Sequence, residues 1–364
     1  MNARRRGVTV GRYVWSFALA VVVLLVVLVS TATAPVSHGA ALTTPSPAAS
    51  PTGERRWPII AGAGRVVTDT LWAQSLGIRK ALTVYLPPSY DSLTSRRYPV
   101  LYYLHGLYGA ERDWIDAGRI DKTLDSLFAS GMPEAIVIMP DGDDGWYTTW
   151  NTLPDLAACR ADRVRKEAAE TYCVPWPHYD DYIARDVVKF VDGRYRTMAS
   201  AARRGIGGLS MGGLGAISLA LAYPDVFSAA ASHSGVVSPR LLGPKPYAPP
   251  AQYANSYAEM QVAAGGLWRF LLPAFGRDTI GWAAREPRQL LARLQKVGTP
   301  VPRLYLDCGV DDTYIGQNRD LHETLQRRGV SHQYAEYPGA HNWTYWRSHV
   351  GQSAAFLLSA VGER

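Results

Sequence analysis

The stretch Gly205-Ile206-Gly207-Gly208-Leu209-Ser210-Met211-Gly212-Gly213-Leu214-Gly215-Ala216 decides how the rest of the chain is read. Within it, Gly208-x-Ser210-x-Gly212 has the G-x-S-x-G spacing of a nucleophile elbow. On such an elbow the serine sits in a tight turn between a strand and a helix, its backbone strained and its hydroxyl thrust outward. Residues two before and two after it must lack bulk, because strand and helix pass close together there, and glycine meets that need. A short strand-like run follows Arg203-Arg204. Leu214 to Tyr223 (LGAISLALAY) is rich in helix formers and stops at Pro224. A glycine-rich turn with an incidental serine would match the five-residue pattern alone; the strand–turn–helix setting favours the nucleophile.

A serine hydroxyl is a poor nucleophile near neutral pH, so it needs a base, and the base needs an acid to orient it. In hydrolases with this elbow the partners follow in the chain order Ser, Asp/Glu, His. Downstream, Arg303-Leu304-Tyr305-Leu306-Asp307-Cys308-Gly309-Val310-Asp311-Asp312 is an apolar strand running into an acidic turn. Farther on, Tyr334 to Trp343 (YAEYPGAHNW) is a second strand whose loop carries His341. An acid loop after one strand and a histidine loop after the next is the layout a triad requires. Ser210 and His341 are therefore candidates for nucleophile and base. The acid lies among Asp307, within the strand, and Asp311 and Asp312, in the loop.

Before the elbow, Tyr98 to Leu104 (YPVLYYL) is an apolar strand followed by His105-Gly106-Leu107-Tyr108-Gly109. A tetrahedral oxyanion requires two preorganised N–H donors, one from the residue after the nucleophile, Met211, and one from the loop after this strand. His105 precedes the serine and would break the chain order, so it reads as structural.

Five segments in order carry a family likeness: Tyr103-Leu104-His105-Gly106-Leu107, Pro140-Asp141-Gly142, Gly208-Leu209-Ser210-Met211-Gly212-Gly213, Cys308-Gly309-Val310-Asp311-Asp312 and Pro338-Gly339-Ala340-His341-Asn342-Trp343. Over roughly residues 65–360 the chain resembles the esterase D-like family of the α/β-hydrolases. That family includes feruloyl and acetyl-xylan esterases, S-formylglutathione hydrolases and the antigen 85 mycolyltransferases. The resemblance implies an α/β-hydrolase fold and an acyl-enzyme formed on Ser210. It also implies that the acid is Asp312, three residues after the loop glycine, and that the second oxyanion donor is the backbone N–H of Leu107.

The remaining segments fit an exported enzyme. Arg4-Arg5-Arg6 and Arg12 precede an apolar run from Val14 to Val29, so residues 1–34 read as a signal peptide or an N-terminal membrane anchor. Residues 35–57 are rich in Pro, Ser, Thr and Ala and read as a linker. The formal charge is +7, but residues 1–40 hold four arginines and no acid, leaving +3 for the rest, too little to argue for nucleic acid. Residues 58–364 suffice for one catalytic domain. Val66 to Trp72 and Lys80 to Leu86 alternate as antiparallel strands do, and Ala135 to Met139 is apolar throughout, like Tyr98 to Leu104. Ile120 to Phe128, Tyr182 to Val191 and Leu214 to Ala222 show helical spacing, and Ala229 to Ser232, Leu304 to Leu306 and His332 to Tyr337 supply later strands. Alternating strands and helices predict a mostly parallel, doubly wound sheet. Residues 236–302, rich in Pro, Tyr and Trp, read as a cap over the pocket or as core packing.

Pro140 to Trp150 (PDGDDGWYTTW) joins acidic and aromatic residues. Asp141, Asp143 and Asp144 miss the EF-hand spacing and read as a solvated loop. Trp146 and Tyr147, with Trp150, are candidates for an aromatic wall of the substrate pocket or for packing under the loop. Cys159 and Cys173 bracket a polar segment and predict a disulfide in an exported protein. Cys308 reads as a buried thiol. No zinc-ligand spacing occurs, and no metal or cofactor is expected. Three functions are compatible: an exported serine carboxylesterase acting on small-molecule or glycan esters, secreted or held at the cell envelope; an acyltransferase of the mycolyltransferase type, passing the acyl group to a sugar hydroxyl; and a non-catalytic surface or sugar-binding protein. A complete triad disfavours the third. The leader takes the chain away from cytosolic glutathione and disfavours S-formylglutathione hydrolysis.

Overall fold

In a computed structural model of the protein, residues 62–163 and 167–362 are described. All of them belong to one compact unit, Arg55–Arg364. The expected signal peptide or anchor (1–34) and the linker (35–57) lie outside the described residues. Among the described residues no helix is long and apolar enough to cross a membrane.

The strands are β1 (Arg65–Ala73), β2 (Ile78–Leu86), β3 (Val100–Leu104), β4 (Ile136–Pro140), β5 (Arg204–Leu209), β6 (Ala229–His233), β7 (Leu241–Gly243), β8 (Gln252–Tyr253), β9 (Arg303–Gly309) and β10 (His332–Tyr337). The longer helices are α1 (Ile120–Ala129), α2 (Val188–Arg194), α3 (Met211–Ala222), α4 (Tyr257–Ala264), α5 (Trp268–Phe275), α6 (Thr279–Arg285), α7 (Pro287–Lys296), α8 (Ile315–Arg327) and α9 (Trp343–Gly362). Eight strands form one sheet in the order β1-β2-β4-β3-β5-β6-β9-β10. The β1–β2 and β2–β4 pairs are antiparallel, and every later neighbour is parallel.

Period-2 alternation assigns the two faces of the central strands. Val100, Tyr102 and Leu104 face the cluster that includes Leu214 and Ile217 of α3, whereas Leu101 and Tyr103 face the cluster that includes Leu124 of α1 and Leu357 of α9. Both faces are covered, so β3 and β4 are buried at every position. From β3 the chain steps to β4 on one side and to β5 on the other. That reversal is a switch point, and the crevice beyond the carboxyl ends of β3 and β5 is where such sheets bind ligands.

The segment predicted as a helix from Tyr182 opens with a π-helical stretch, Tyr182–Val187, before α2. Residues 236–302, the segment read as a cap or as core packing and called the cap below, fold as the β7–β8 hairpin followed by α4 to α7. A capping box starts α4, with Ser256 accepting from Glu259 N–H and Glu259 accepting from Ser256 N–H. Aromatic contacts hold the cap together and dock it. Trp268 stacks on Trp282 at 5.4 Å, and Phe275 meets both Trp282 and Trp146 edge-on or tilted. Cys159 and Cys173 form the expected disulfide, and Cys308 is buried and free.

Candidate active site

Ser210 stands between β5 and α3 with φ 54° and ψ −116°, outside the ordinary regions for a residue with a Cβ. Its neighbours allow this only because they are glycines. A Cβ on Gly208 would lie 2.3 Å from the Gly212 carbonyl oxygen, and one on Gly212 would lie 2.4 Å from the Leu104 oxygen. The turn therefore closes without side chains, and Ser210 N–H is pinned to the carbonyl of His233 at 2.9 Å.

The three chain-distant candidates meet. The Ser210 hydroxyl donates to His341 Nε2 at 2.9 Å, and His341 Nδ1–H donates to Asp312 Oδ2 at 2.9 Å. The second carboxylate oxygen, Oδ1, accepts the N–H of Tyr314 at 2.8 Å, so both oxygens are engaged and Asp312 cannot rotate away. Asp312 is buried, whereas the His341 side chain keeps 24% of its surface exposed. The imidazole is gripped on two sides: Tyr314 packs edge-to-face at 4.8 Å and Trp346 at 4.9 Å. Neither clamp residue was singled out from the sequence. Both lie within five residues of a candidate, and an aromatic beside each triad loop was the available signal. Asp311 is exposed, and its side chain takes no part in this chain of hydrogen bonds.

The loop after β3 runs directly against the serine. A Cβ on Gly106 would meet Leu209 Cδ1 at 2.7 Å and Ser210 Cβ at 3.4 Å, which brings the Leu107 backbone beside the nucleophile. Met211 is the first residue of α3, so its N–H has no carbonyl of its own helix to reach. His105 is structural, as read: it is buried, its Nε2 accepts Gly142 N–H at 2.9 Å, and Nδ1 lies 2.8 Å from the Gly106 oxygen.

One expectation for the 140–150 loop is corrected, and for its aromatics the packing alternative fits. It is not a solvated acidic loop. Asp141 and Asp143 clasp the Lys80 ammonium at 2.5 and 2.8 Å, and Lys80 is 1% exposed. The chain supplies its own cation. Burial pushes the Asp143 carboxyl up to about 7, and the Asp141 charge adds to this, while Lys80 and its hydrogen bond oppose it. Trp146 and Tyr147 do not wall the crevice at Ser210. Both have left-handed backbones (φ 56° and 51°), which turn the side chains inward, where Tyr147 O–H donates to the His105 carbonyl at 3.1 Å. They line a separate cavity of about 300 Å³ behind α3, with Ser218, Tyr223 and Arg285.

Beside the triad, a cleft of about 470 Å³ opens at Tyr314 between 313–317 and the cap segments 244–247 and 262–267. Among the described residues no cluster of His, Cys, Asp or Glu could hold a metal ion.

A doubly wound sheet with a strained serine hydrogen-bonded through histidine to aspartate at its switch point defines a serine hydrolase of the α/β-hydrolase type. The family model described as "Putative esterase" matches residues 73–357, and the chain belongs to that family; it is a carboxylic ester hydrolase. It is 26% identical over 266 residues to an acetyl esterase of Caldicellulosiruptor saccharolyticus, an alignment covering 72% of this chain and 84% of that protein. It is similar to the solved structure of a ferulic acid esterase (TM-score 0.57, 24% identity, 82% of this chain and 99% of that one). It also shares its fold with MPT51 (FbpC1) of Mycobacterium tuberculosis (TM-score 0.57, 17% identity, 83% of this chain and all of that one).

Proposed function

We propose that the protein is an exported serine carboxylesterase working through Ser210, His341 and Asp312. The observation that carries this reading is the unbroken hydrogen-bonded chain from the Ser210 hydroxyl, on its strained turn, to the buried Asp312 carboxylate. Ser210 Oγ attacks the ester carbonyl carbon while His341 Nε2 takes its proton, and Asp312 holds the ring and stabilises the imidazolium. The carbonyl oxygen, now an oxyanion, accepts from the backbone N–H groups of Leu107 and Met211. Collapse expels the alcohol, which collects the proton from His341. Water, deprotonated by His341, then attacks the acyl-enzyme and releases the acid.

The leader and the Cys159–Cys173 disulfide support work outside the cytoplasm. Acyl transfer to a sugar shares every step up to the acyl-enzyme. Hydrolysis is the better reading because prolines and charges interrupt residues 236–302, which offer no long, smooth apolar run for a very long acyl chain. Two measurements test the proposal. Residues from about 55 onward should hydrolyse short p-nitrophenyl esters and be labelled by a fluorophosphonate at Ser210; a folded, unlabelled protein refutes it. Free acid should dominate over acyl-sugar when millimolar trehalose is added, and the opposite partition would make the enzyme an acyltransferase.

A further inference from the structure

A second Asp–His–Ser array lies in the core, and no step of the ester hydrolysis uses it. His233 Nδ1–H donates to Asp307, 2.8 Å from Oδ2 and 3.0 Å from Oδ1. His233 Nε2 lies 2.6 Å from Ser353 Oγ, which in turn lies 3.0 Å from Tyr103 O–H. Tyr345 O–H donates to Asp307 Oδ1 at 3.0 Å. His233, Asp307, Ser353 and Tyr103 are fully buried, and Tyr345 is 3% exposed. Burying so many polar groups is costly, and five residues on four elements share that cost in one place.

Three of those elements adjoin site residues, and the fourth, β6, holds the backbone of Ser210, which itself stands between β5 and α3. Tyr103 is on β3, whose following loop brings Leu107 beside the serine. His233 ends β6, and its carbonyl accepts the Ser210 N–H at 2.9 Å. Asp307 lies on β9, five residues before Asp312, and its carbonyl accepts the Ser234 N–H at 2.8 Å. Tyr345 lies in the first turn of α9, four residues after His341. Its ring underlies the histidine loop, because a Cβ on Gly339 would meet Tyr345 Cδ2 at 2.8 Å. Its N–H is held by Asn342 Oδ1 at 3.1 Å.

We infer that the buried Asp307–His233–Ser353 array, with Tyr103 and Tyr345, positions the oxyanion loop, Ser210, Asp312 and His341 relative to one another. These are positioning residues: none is exposed to substrate. A shared hydrogen-bond network fixes the relative height of these elements, and small misplacements of reacting groups are expensive in rate. The inference rests on the triad reading for its consequence in turnover, but its geometric content stands apart.

Tyr345→Phe is the informative variant, since it removes one oxygen and leaves the ring under Gly339. With a p-nitrophenyl ester, kcat should fall about ten-fold with KM unchanged, at a temperature far below Tm. The ¹⁵N resonance of His341 Nδ1, read by NMR in the resting protein, should shift. An unchanged kcat with a lowered Tm would make the array purely structural and overturn the inference. An unmoved His341 resonance would overturn it whether or not the protein turns over esters. An inactive wild type with a shifted resonance in the variant would refute the esterase reading and leave the positioning role standing.

Discussion

Asp312–His341–Ser210 and Asp307–His233–Ser353 are built from the same three side chains at nearly the same spacings, yet they differ in everything around the serine. Ser210 lies in a strained turn at the end of a strand and precedes a helix whose first N–H groups lack carbonyl partners within that helix. Ser353 lies inside α9, where backbone N–H groups are taken by carbonyls four residues back, so no donor waits for an oxyanion. Its hydroxyl also reaches the Val350 carbonyl at 3.1 Å. His341 keeps a face open to solvent, whereas His233 has none. Hydrogen-bond connectivity therefore does not define a catalytic site. What separates the two arrays is solvent access and the backbone turn that holds the serine.

The sharpest way to break this contrast is at the serines. Ser210→Ala should lower kcat about a million-fold toward the uncatalysed rate. Ser353→Ala should keep turnover within about ten-fold and cost about 1–3 kcal/mol of stability, because His233 loses a buried partner. Steady-state kinetics and thermal melts on the two variants decide it; loss of activity in Ser353→Ala without unfolding would erase the distinction. At the carboxylates, Asp312→Asn should cut kcat about 10⁴-fold while the fold survives, as loss of the orienting acid does in other triads. Asp307→Asn should instead lose about 3–5 kcal/mol of folding stability, the usual result of breaking a fully buried pair.

Glu286 sharpens the comparison from the other side, as a buried carboxyl with poor compensation. It is 1% exposed, and Arg240 Nη1 is 3.6 Å away. Burial pushes it up to about 7, against the opposing charge of Arg240. The folded state therefore binds a proton that the unfolded chain has released, and stability falls as pH climbs from about 4.5 to about 7. Glu286→Gln should flatten that part of the Tm–pH curve, and a variant with the wild-type slope would assign the slope elsewhere. The smallest effect belongs to Asp311→Asn, which should leave kcat within about two-fold. A large loss there would move the acid one residue back.

The elbow, the chain order and the loop positions were legible because each is a local pattern with one steric cause. Gly208 and Gly212 are demanded by backbone contacts two residues away, and such demands survive in a single sequence. The acid was not settled by pattern alone. Asp307 lies in an apolar strand and Asp311 and Asp312 just after it, and only the tertiary structure shows Asp307 bonded to His233 and Asp311 facing water. The buried array was invisible for the same reason: His233 lies 74 residues from Asp307 and 120 from Ser353, and each reads as an ordinary core position. Trp146 and Tyr147 stayed open between pocket wall and loop packing because an aromatic run at a sheet edge says nothing about the sign of φ; both have positive φ and both rings are buried. The cap lacked a readable period because α4 to α7 are short and are held by Trp–Trp and Trp–Phe contacts between helices.

The φ of 54° at Ser210 has a further consequence, one of endurance. A side chain held in that region costs about 1–3 kcal/mol, whereas glycine, having no Cβ, occupies it freely. Ser210→Gly should therefore melt at a higher temperature than the active enzyme. A dead enzyme that outlasts the live one would mean that the aim of a single oxygen atom is bought with heat tolerance. Attempts to toughen this protein should leave the elbow alone and look for their gains in the cap.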